Sequence, residues 1–397
     1  MTLSRWLDPL PAPRPGLVGD VTCDVVVIGG GLTGVSAALR LAELGADAVL
    51  LEARQVAMSA TGRNAGFILQ GTAERYDRAC ALLGRARASE IHRWTLENHR
   101  RIAERVASLG LDCGYQRRGS LQLGDTPQEE HELRASARML VEDGFEATLL
   151  EGDALPAVHR DAGYHLGLLL PGDGAVDPAR FVRGLADAAH RAGARLYERT
   201  PVLTLDAAEA GAVVAHTPQG EVHAALAVVA TNARVAELLP WFADKVDPVR
   251  GQMLATAPLP LRFDRPIYAN HGYDYWRQDE AGRLVLGGWR NLDPETERST
   301  EEILNDAIQA RMTRFVACTF PDVDVRITHR WAGIMGFSRD GLPLVGPAPG
   351  APGAVAGVGY TGHGFGFAAL AGDALAELVL EGQHPFCEAL RPRRLDY

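Results

Sequence analysis

One segment of the sequence constrains the fold more than any other: Gly29-x-Gly31-x-x-Gly34 directly follows a mostly aliphatic run, residues 24–28. A helical pattern, residues 35–44, comes next, and a second aliphatic run, residues 48–51, leads to Glu52. This order predicts a strand, a glycine turn, a helix and a second strand of a parallel sheet. The glycines let a pyrophosphate approach the start of the helix, and Glu52 can accept from a ribose hydroxyl. The segment therefore predicts a dinucleotide site, with a purely structural turn as the alternative.

Composition excludes several other classes of protein. The net charge is −10 and there is no basic block, which argues against a nucleic-acid partner, because phosphate contacts dominate nucleic-acid affinity. The longest apolar runs fall well short of the roughly 20 residues that a membrane helix needs, so no span is expected. The five cysteines are odd in number and form no C-x-x-C pair. They predict neither disulfides nor a metal site, and they fit a reducing cytoplasm.

Four further segments narrow the dinucleotide to FAD by their resemblance to a known family. They are Glu52-Ala-Arg54, Ser59 to Gly66, Trp331-Ala-Gly333 and Gly359 to Phe365. In this order they resemble the D-amino-acid-oxidase-like family of FAD-dependent oxidoreductases, which includes glycine, sarcosine and D-amino acid oxidases. Tyr275-Trp-Arg277 and the N-terminal arm are similar to the gamma-glutamylputrescine oxidoreductase type within that family.

The resemblance implies an α/β fold with two domains. One is a Rossmann-like FAD-binding domain, a parallel sheet with helices, expected to comprise residues 1–85, 150–245 and 325–397. The other is an inserted substrate domain with a mainly antiparallel sheet, expected to comprise residues 86–149 and 246–324. Aromatic-rich strands in the second part of the chain suit that antiparallel sheet.

The resemblance also implies the reaction: the C–N bond of an amine is oxidised by hydride transfer to flavin N5, and the imine is then hydrolysed. Several relatives attach FAD covalently through a Cys in the region matching 331–336 or a His in the region matching 59–64. This chain has neither residue in those regions, so non-covalent FAD is expected. The electron acceptor is O2 or an unknown partner, and oxidase and dehydrogenase remain open.

Motif and resemblance together assign the site residues. The catalytic candidates are His363, Tyr275 and Arg277. His363 lies between glycines before a helix, where it contacts the flavin or caps the helix. The predicted cofactor-binding residues are Gly29, Gly31, Leu32, Thr33, Gly34, Glu52, Ala53, Arg54, Ala60, Thr61, Gly62, Arg63, Asn64, Ala65, Gly66, Val202, Thr231, Asn232, Gly333, Gly359, Gly362, His363, Gly364 and Phe365.

Departures from the family point to the substrate. Glycine-oxidase-like relatives hold the substrate carboxylate with an Arg shortly after Trp-x-Gly, where this chain has Ile334 and Met335. Sarcosine-oxidase-like relatives use a Lys just beyond Gly-His-Gly-Phe, where this chain has Gly366. Both cations would have bound a carboxylate by charge-assisted hydrogen bonds. An amine or gamma-glutamyl amine is therefore favoured, although Arg250 or Arg277 could supply the cation unless they form ordinary salt bridges.

Aromatic side chains in the inserted part could form the wall of an amine pocket, or they could pack within the sheet. They are Tyr268, His271, Tyr273, Tyr275, Trp276 and Trp289. Three other functions remain open: a D-amino acid or glycine oxidase or dehydrogenase, a flavin-binding protein that is non-catalytic or tRNA-related, and an NAD-dependent dehydrogenase. The last is disfavoured because a nicotinamide enzyme has no need for the C-terminal glycine motifs.

Overall fold

The computed structural model describes residues 3–208 and 211–396, which form two large sheets with helices packed against them. The strands are β1 (Val21–Ile28), β2 (Ala48–Leu51), β3 (Phe67–Ile68), β4 (Ser120–Gly124), β5 (Thr148–Glu151), β6 (Leu166–Leu170), β7 (Gly174–Ala175), β8 (Arg195–Tyr197), β9 (Thr204–Ala207), β10 (Val213–Thr217), β11 (Gly220–Val229), β12 (Val246–Pro258), β13 (Ile267–Ala269), β14 (Asp274–Gln278), β15 (Arg283–Gly288), β16 (Ile327–Ser338), β17 (Leu344–Pro347) and β18 (Ala354–Val358).

The helices cover much of both sheets, and they are named here in chain order. They are α1 (Leu32–Glu43), α2 (Tyr76–Leu83), α3 (Arg85–Leu109), α4 (Pro127–Glu142), α5 (Ala157–Arg160), α6 (Pro178–Arg191), α7 (Asp306–Thr319), α8 (Gly364–Glu381) and α9 (Pro385–Ala389). None of the described helices is both long enough and apolar enough to cross a membrane.

The first sheet is mainly parallel and has the order β17-β18-β11-β1-β2-β8, with β10 and β9 added beside β11. The central strands β1 and β2 are buried along their aliphatic residues. Helices α1, α6 and α8 pack on one face of the sheet, and a second hydrophobic cluster that includes Val213, Leu239 and Phe242 covers the other. The chain leaves β1 at Gly29, whose φ of +112° is accessible to glycine, and enters α1 directly. Gly45, with φ +85°, follows the end of α1.

The second sheet is mainly antiparallel and has the order β16-β12-β15-β14-β13-β4-β6-β5, with one parallel pair between β13 and β4. Its long strands β12 and β16 pair along almost their whole length, and Gly251 lies opposite Gly333. A two-stranded ribbon of β3 and β7 is separate from both sheets. The α/β fold with one mainly parallel and one mainly antiparallel sheet confirms the predicted fold class.

The two sheets do not take their strands from the segments that the predicted domain boundaries assign to them. Strands β6 and β16 belong to the second sheet, although they lie in the segments 150–245 and 325–397 that were assigned to the FAD-binding domain. The residue pattern of each strand, Leu-rich in β6 and mixed with glycine in β16, is compatible with either sheet. The pattern therefore does not determine which strand it pairs with. The domain boundaries themselves stay a prediction.

Helix α8, from the last part of the chain, packs against α1, from the first part. It packs against α1 at Gly372, where an added Cβ would lie only 2.4 Å from the carbonyl oxygen of Thr33. Tyr360, just before α8, also bonds to the Thr33 hydroxyl at 2.7 Å. These contacts bring the C-terminal glycine segment beside the glycine turn after β1, which is where the site forms.

Candidate active site

A cavity of about 720 Å³ lies where the carboxyl ends of β1 and β2 meet the second sheet. Its volume falls in the range of about 300–1,000 Å³ that is usual for small-molecule and cofactor sites. One part of the cavity is lined by the glycine turn, Glu52 and the 59–65 loop, and the other by aromatic and methionine side chains of the second sheet. The sequence places these segments far apart, and the fold brings them together.

The glycine turn and Glu52 hold each other in place. One oxygen of the Glu52 carboxylate accepts from the backbone N–H of Gly30 at 2.7 Å, and the other accepts from Arg54 at 2.8 Å. Burial raises the pKa of Glu52, and these two N–H groups oppose that shift. Thr61 adds a hydroxyl that accepts from the N–H of Leu32 at 3.1 Å. The loop that begins at Ser59 is thereby joined to the first turn of α1.

The residues at this end fit the dinucleotide portion of FAD. The first N–H groups of α1 have no acceptor within the helix, and they carry the positive end of its dipole. An added Cβ on Gly31 would meet only the Thr61 hydroxyl, at 3.2 Å, so the glycine keeps the backbone open to the cavity. The hydroxyl of Thr231 is buried on the cavity wall without a hydrogen-bond partner among the described residues. An anionic, hydroxyl-rich ligand would satisfy these groups.

Two arginines of the cofactor loops meet one carboxylate across this part of the cavity. Glu302 pairs with Arg54 at 3.0 Å and with Arg63 at 3.0 Å. The Arg63 guanidinium also donates to the carbonyl of Ala332 at 2.9 Å, so it is held against β16. The segment that contains Glu302 therefore closes over the loops from the first sheet.

In the other part of the cavity, His363, Tyr268 and Tyr275 are aromatic side chains of the wall. His363 immediately precedes α8, and its ring stacks on that of Tyr268 with centroids 6.3 Å apart. Burial lowers the pKa of His363 to about 4, so its imidazole is neutral near pH 7. Burial raises the pKa of Tyr275 to about 12, and its hydroxyl donates weakly to the sulfur of Met253 at 3.5 Å. These side chains present hydrogen-bonding groups without a net charge.

Most of the predicted site residues line the cavity. His363 and Tyr275 do so among the catalytic candidates. The predicted cofactor residues that line it are Gly29, Gly31, Leu32, Thr33, Glu52, Ala53, Arg54, Ala60, Thr61, Arg63, Asn64, Ala65, Val202, Thr231, Asn232, Gly333, Gly362, His363, Gly364 and Phe365.

Four predicted cofactor glycines lie behind the cavity wall instead. Three of them are required where backbones approach closely: a Cβ on Gly34 would lie 1.9 Å from the oxygen of Gly29, and one on Gly66 would lie 2.1 Å from that of Val176. Gly62 makes a similar approach to the backbone near Ala57. The fourth, Gly359, donates its N–H to the side chain of Asn232 at 3.0 Å. These glycines shape the cavity without facing it.

Arg277, a catalytic candidate from the sequence, does not line the cavity. Its guanidinium donates to the carbonyl oxygens of Ala65, at 2.8 Å, and Val176, at 2.7 Å. The ring of Trp6 covers it at 5.0 Å. The side chain is 5% exposed, because a loop from the first sheet is packed over this end of β14. Arg277 therefore joins segments of the fold.

Arg250 does not supply a cation to the cavity either. Its guanidinium pairs with Glu297 at 2.9 Å, and both side chains are almost completely buried.

Of the aromatic residues predicted to form the wall, Tyr268, His271 and Tyr275 line the cavity. Trp276 and Trp289 pack in the hydrophobic core on the opposite side of the second sheet. Tyr273 lies beneath the guanidinium of Arg290.

Sequence reasoning missed several residues of the wall. They include Met253, Phe337, Arg290 and Glu302. Arg290 comes two residues after the glycine pair that ends β15, and a polar residue at a strand end was the signal that could have drawn attention to it. Glu302 lies in an irregular segment without a comparable signal.

A parallel sheet with a glycine turn, an acid on the second strand and a second sheet across the cavity is typical of a dinucleotide-binding protein. Residues 24–378 match the family model described as "FAD dependent oxidoreductase". The chain therefore belongs to that family, and it is an FAD-dependent oxidoreductase that acts on the C–N bond of an amine or amino acid.

Relatives and solved structures agree with this assignment. The chain is 30% identical to the probable oxidoreductase OrdL of Rhizobium meliloti, over 92% of this chain and 85% of the relative. It is 29% identical to the gamma-glutamylputrescine oxidoreductase of Escherichia coli, over 93% of this chain and 86% of the relative. The crystal structure of glycine oxidase from Geobacillus kaustophilus has the same fold, with a TM-score of 0.77, 23% identity and coverage of 92% and 96% of the two chains.

Proposed function

We propose that the protein oxidises a small amine, preferably a gamma-glutamyl amine, and that it holds FAD without a covalent bond. The observation that most supports this proposal is the position of Met335. This side chain lines the cavity at the place on β16 where the resemblance would put a carboxylate-binding arginine. A substrate of this protein is therefore not held through a cation at that place.

The wall beside Met335 suits an uncharged reacting amine. Tyr268 and Tyr275 stay protonated because burial raises their pKa values, and His363 stays unprotonated. An amine donates its lone pair only when it is neutral, and none of these three groups would hold it as an ammonium ion. Bound FAD supplies the acceptor for the hydride.

A second candidate is an oxidase or dehydrogenase of glycine or a D-amino acid. The observation that favours it is Arg290, whose guanidinium is on the cavity wall. A gamma-glutamyl amine satisfies both observations, because it has a free amine at one end and a carboxylate at the other.

We also propose a reducing, cytoplasmic location, which the five unpaired cysteines support. The electron acceptor is proposed to be O2 or a separate protein.

Anaerobic mixing of the oxidised holoenzyme with defined amines tests the proposed function. The panel is gamma-glutamylputrescine, putrescine, glycine and D-alanine, and the readout is bleaching of the flavin absorbance. We expect gamma-glutamylputrescine to give the largest ratio of bleaching rate to Kd, at least about tenfold above glycine or D-alanine, which corresponds to about 1.4 kcal/mol. Free FAD with each amine is the control for reduction without the protein.

Two results of the panel would contradict the proposal in different ways. Bleaching by glycine or D-alanine alone would establish the second candidate, and it would show that Met335 does not exclude simple amino acids. A holoenzyme that no amine bleaches, but that dithionite reduces normally, would favour a flavin-binding protein without amine turnover.

A further inference from the structure

The turn after β15 is built to direct one side chain toward the cavity. Gly288 ends the strand with φ +118°, and an added Cβ there would lie 1.8 Å from the carbonyl oxygen of Tyr273. Trp289 then adopts the left-handed region with φ +55°, which is unfavourable for a bulky residue. Burial of its indole and a 2.8 Å bond from its backbone N–H to the Tyr273 carbonyl hold it there. Such local strain, fixed by packing, places Arg290 on the cavity wall.

The Arg290 guanidinium lies between two aromatic rings. It is 4.5 Å from the centroid of Tyr273 and 5.3 Å from that of Phe337. These contacts orient its plane and leave its N–H edges for hydrogen bonding. Its charge also acts on the Tyr268 and Tyr275 hydroxyls, so it belongs to the substrate part of the cavity rather than to the glycine turn.

Arg290 differs from the other arginines on the cavity wall in having no carboxylate. Arg54 and Arg63 pair with Glu302, and Arg234 pairs with Glu237. Within residues 3–208 and 211–396, the Arg290 guanidinium forms no hydrogen bond and no ion pair. A guanidinium is always charged in a protein and carries five N–H donors, so a cavity that buries a ligand beside it favours an anion.

Arg290 also lies next to the place where the resemblance would put a cation. Met335 and Phe337 are two residues apart on β16, so both side chains point to the same face of the strand. Both line the cavity, and Arg290 covers Phe337. A positive charge is therefore present near Met335 after all. It belongs to Arg290, which follows the end of β15 and lies against Phe337, two residues beyond Met335 on β16.

We propose that Arg290 binds a carboxylate of the substrate through paired charge-assisted hydrogen bonds. The substrates of this protein are then amines that carry a carboxylate, and simple diamines bind weakly. This inference rests on the proposed function and adds the group that selects among amines. Arg290 determines specificity by binding and takes no proton from the reacting nitrogen.

Equilibrium binding of an unreactive carboxylate to the holoenzyme tests this inference. Benzoate and benzamide have the same shape and differ in charge, and each is titrated while the visible flavin spectrum is followed. In the wild-type protein we expect benzoate to bind at least about tenfold more tightly than benzamide. In Arg290→Gln we expect benzoate affinity to fall by about tenfold to 100-fold, and benzamide affinity to change less than about twofold. Arg290→Lys should recover part of the benzoate affinity, because it keeps the charge and loses the planar fork.

The matched control is Arg298→Gln, which removes an exposed arginine paired with Asp247 outside the cavity. Its benzoate affinity should equal that of the wild-type protein. Equal benzoate affinity in wild type and Arg290→Gln would overturn the inference, as would a wild-type protein that binds benzoate no better than benzamide.

Failure of the inference can be separated from failure of the proposed function. If an amine still bleaches the flavin of Arg290→Gln with wild-type Kd, the protein is an amine oxidoreductase and only the role of Arg290 is wrong. If the role of Arg290 is right, the same variant should show a raised Kd for gamma-glutamylputrescine, with a smaller change in limiting rate and in the Kd for putrescine. Absence of bleaching in the wild-type protein would instead contradict the proposed function.

Discussion

Gly31→Ala should weaken FAD binding at least about tenfold and leave the stability of the apoprotein within about 1 kcal/mol of wild type. The added methyl would meet only the flexible Thr61 side chain, at 3.2 Å, and the φ of −81° at Gly31 suits alanine. The methyl would nevertheless occupy the space through which a pyrophosphate approaches the first N–H groups of α1. FAD affinity is measured by fluorescence titration of apoprotein, and stability by urea unfolding of the same preparation.

Gly34→Ala is the matched comparison, and it should fail for a different reason. A Cβ at this position would lie 1.9 Å from the carbonyl oxygen of Gly29 and 3.3 Å from a methyl of Val27. Because both contacts belong to the packing between α1 and β1, the apoprotein itself should lose about 3 kcal/mol or more of unfolding free energy. If Gly31→Ala bound FAD as tightly as wild type, the cavity end at α1 would not be the dinucleotide site.

Arg277→Met should destabilise the protein by about 2–4 kcal/mol, which would be among the larger effects of a single substitution. The change removes two charge-assisted bonds and leaves the buried carbonyls of Ala65 and Val176 without their donor. It also removes the cation above Trp6, whose own N–H donates to Asn64 at 2.7 Å. The loop 64–66 should loosen, and FAD affinity should fall with it. Urea unfolding of the apoprotein measures the first effect.

Arg138→Met is the control for losing an arginine, because its side chain is 72% exposed and pairs only loosely with Glu142. Its stability should stay within about 0.5 kcal/mol of wild type. A stable Arg277→Met variant that bound FAD normally and lost amine turnover would restore the catalytic interpretation of Arg277 drawn from the sequence.

The unit around Gly29 to Gly34 could be predicted because its determinants are local. Strand, turn, helix and Glu52 follow one another within about thirty residues, and each has a residue pattern that few other structures explain. The carboxylate of Glu52 reaches the turn through one bond, from the backbone N–H of Gly30. The cofactor end of the site was therefore accessible to sequence reasoning.

The substrate end was less accessible because it depends on contacts between distant segments. Tyr275 and Arg277 are two residues apart on β14 and share a face, yet one lines the cavity and the other is covered by the 64–66 loop. No pattern within β14 tells these positions apart. Arg290 likewise depends on the left-handed backbone of Trp289, which local propensity disfavours. A single sequence does not reveal a strained turn, or a loop from a distant segment that packs over a side chain.

Acid precipitation of the purified holoenzyme tests most directly whether this cavity holds a dissociable FAD. The visible spectrum is recorded first, and the flavin in supernatant and pellet is then measured by absorbance and chromatography. The 59–64 and 331–336 segments contain no Cys or His, so all of the flavin should appear in the supernatant as FAD, close to one molecule per chain. Flavin that remains in the pellet, or a protein that takes up no flavin when incubated with FAD, would contradict the claim.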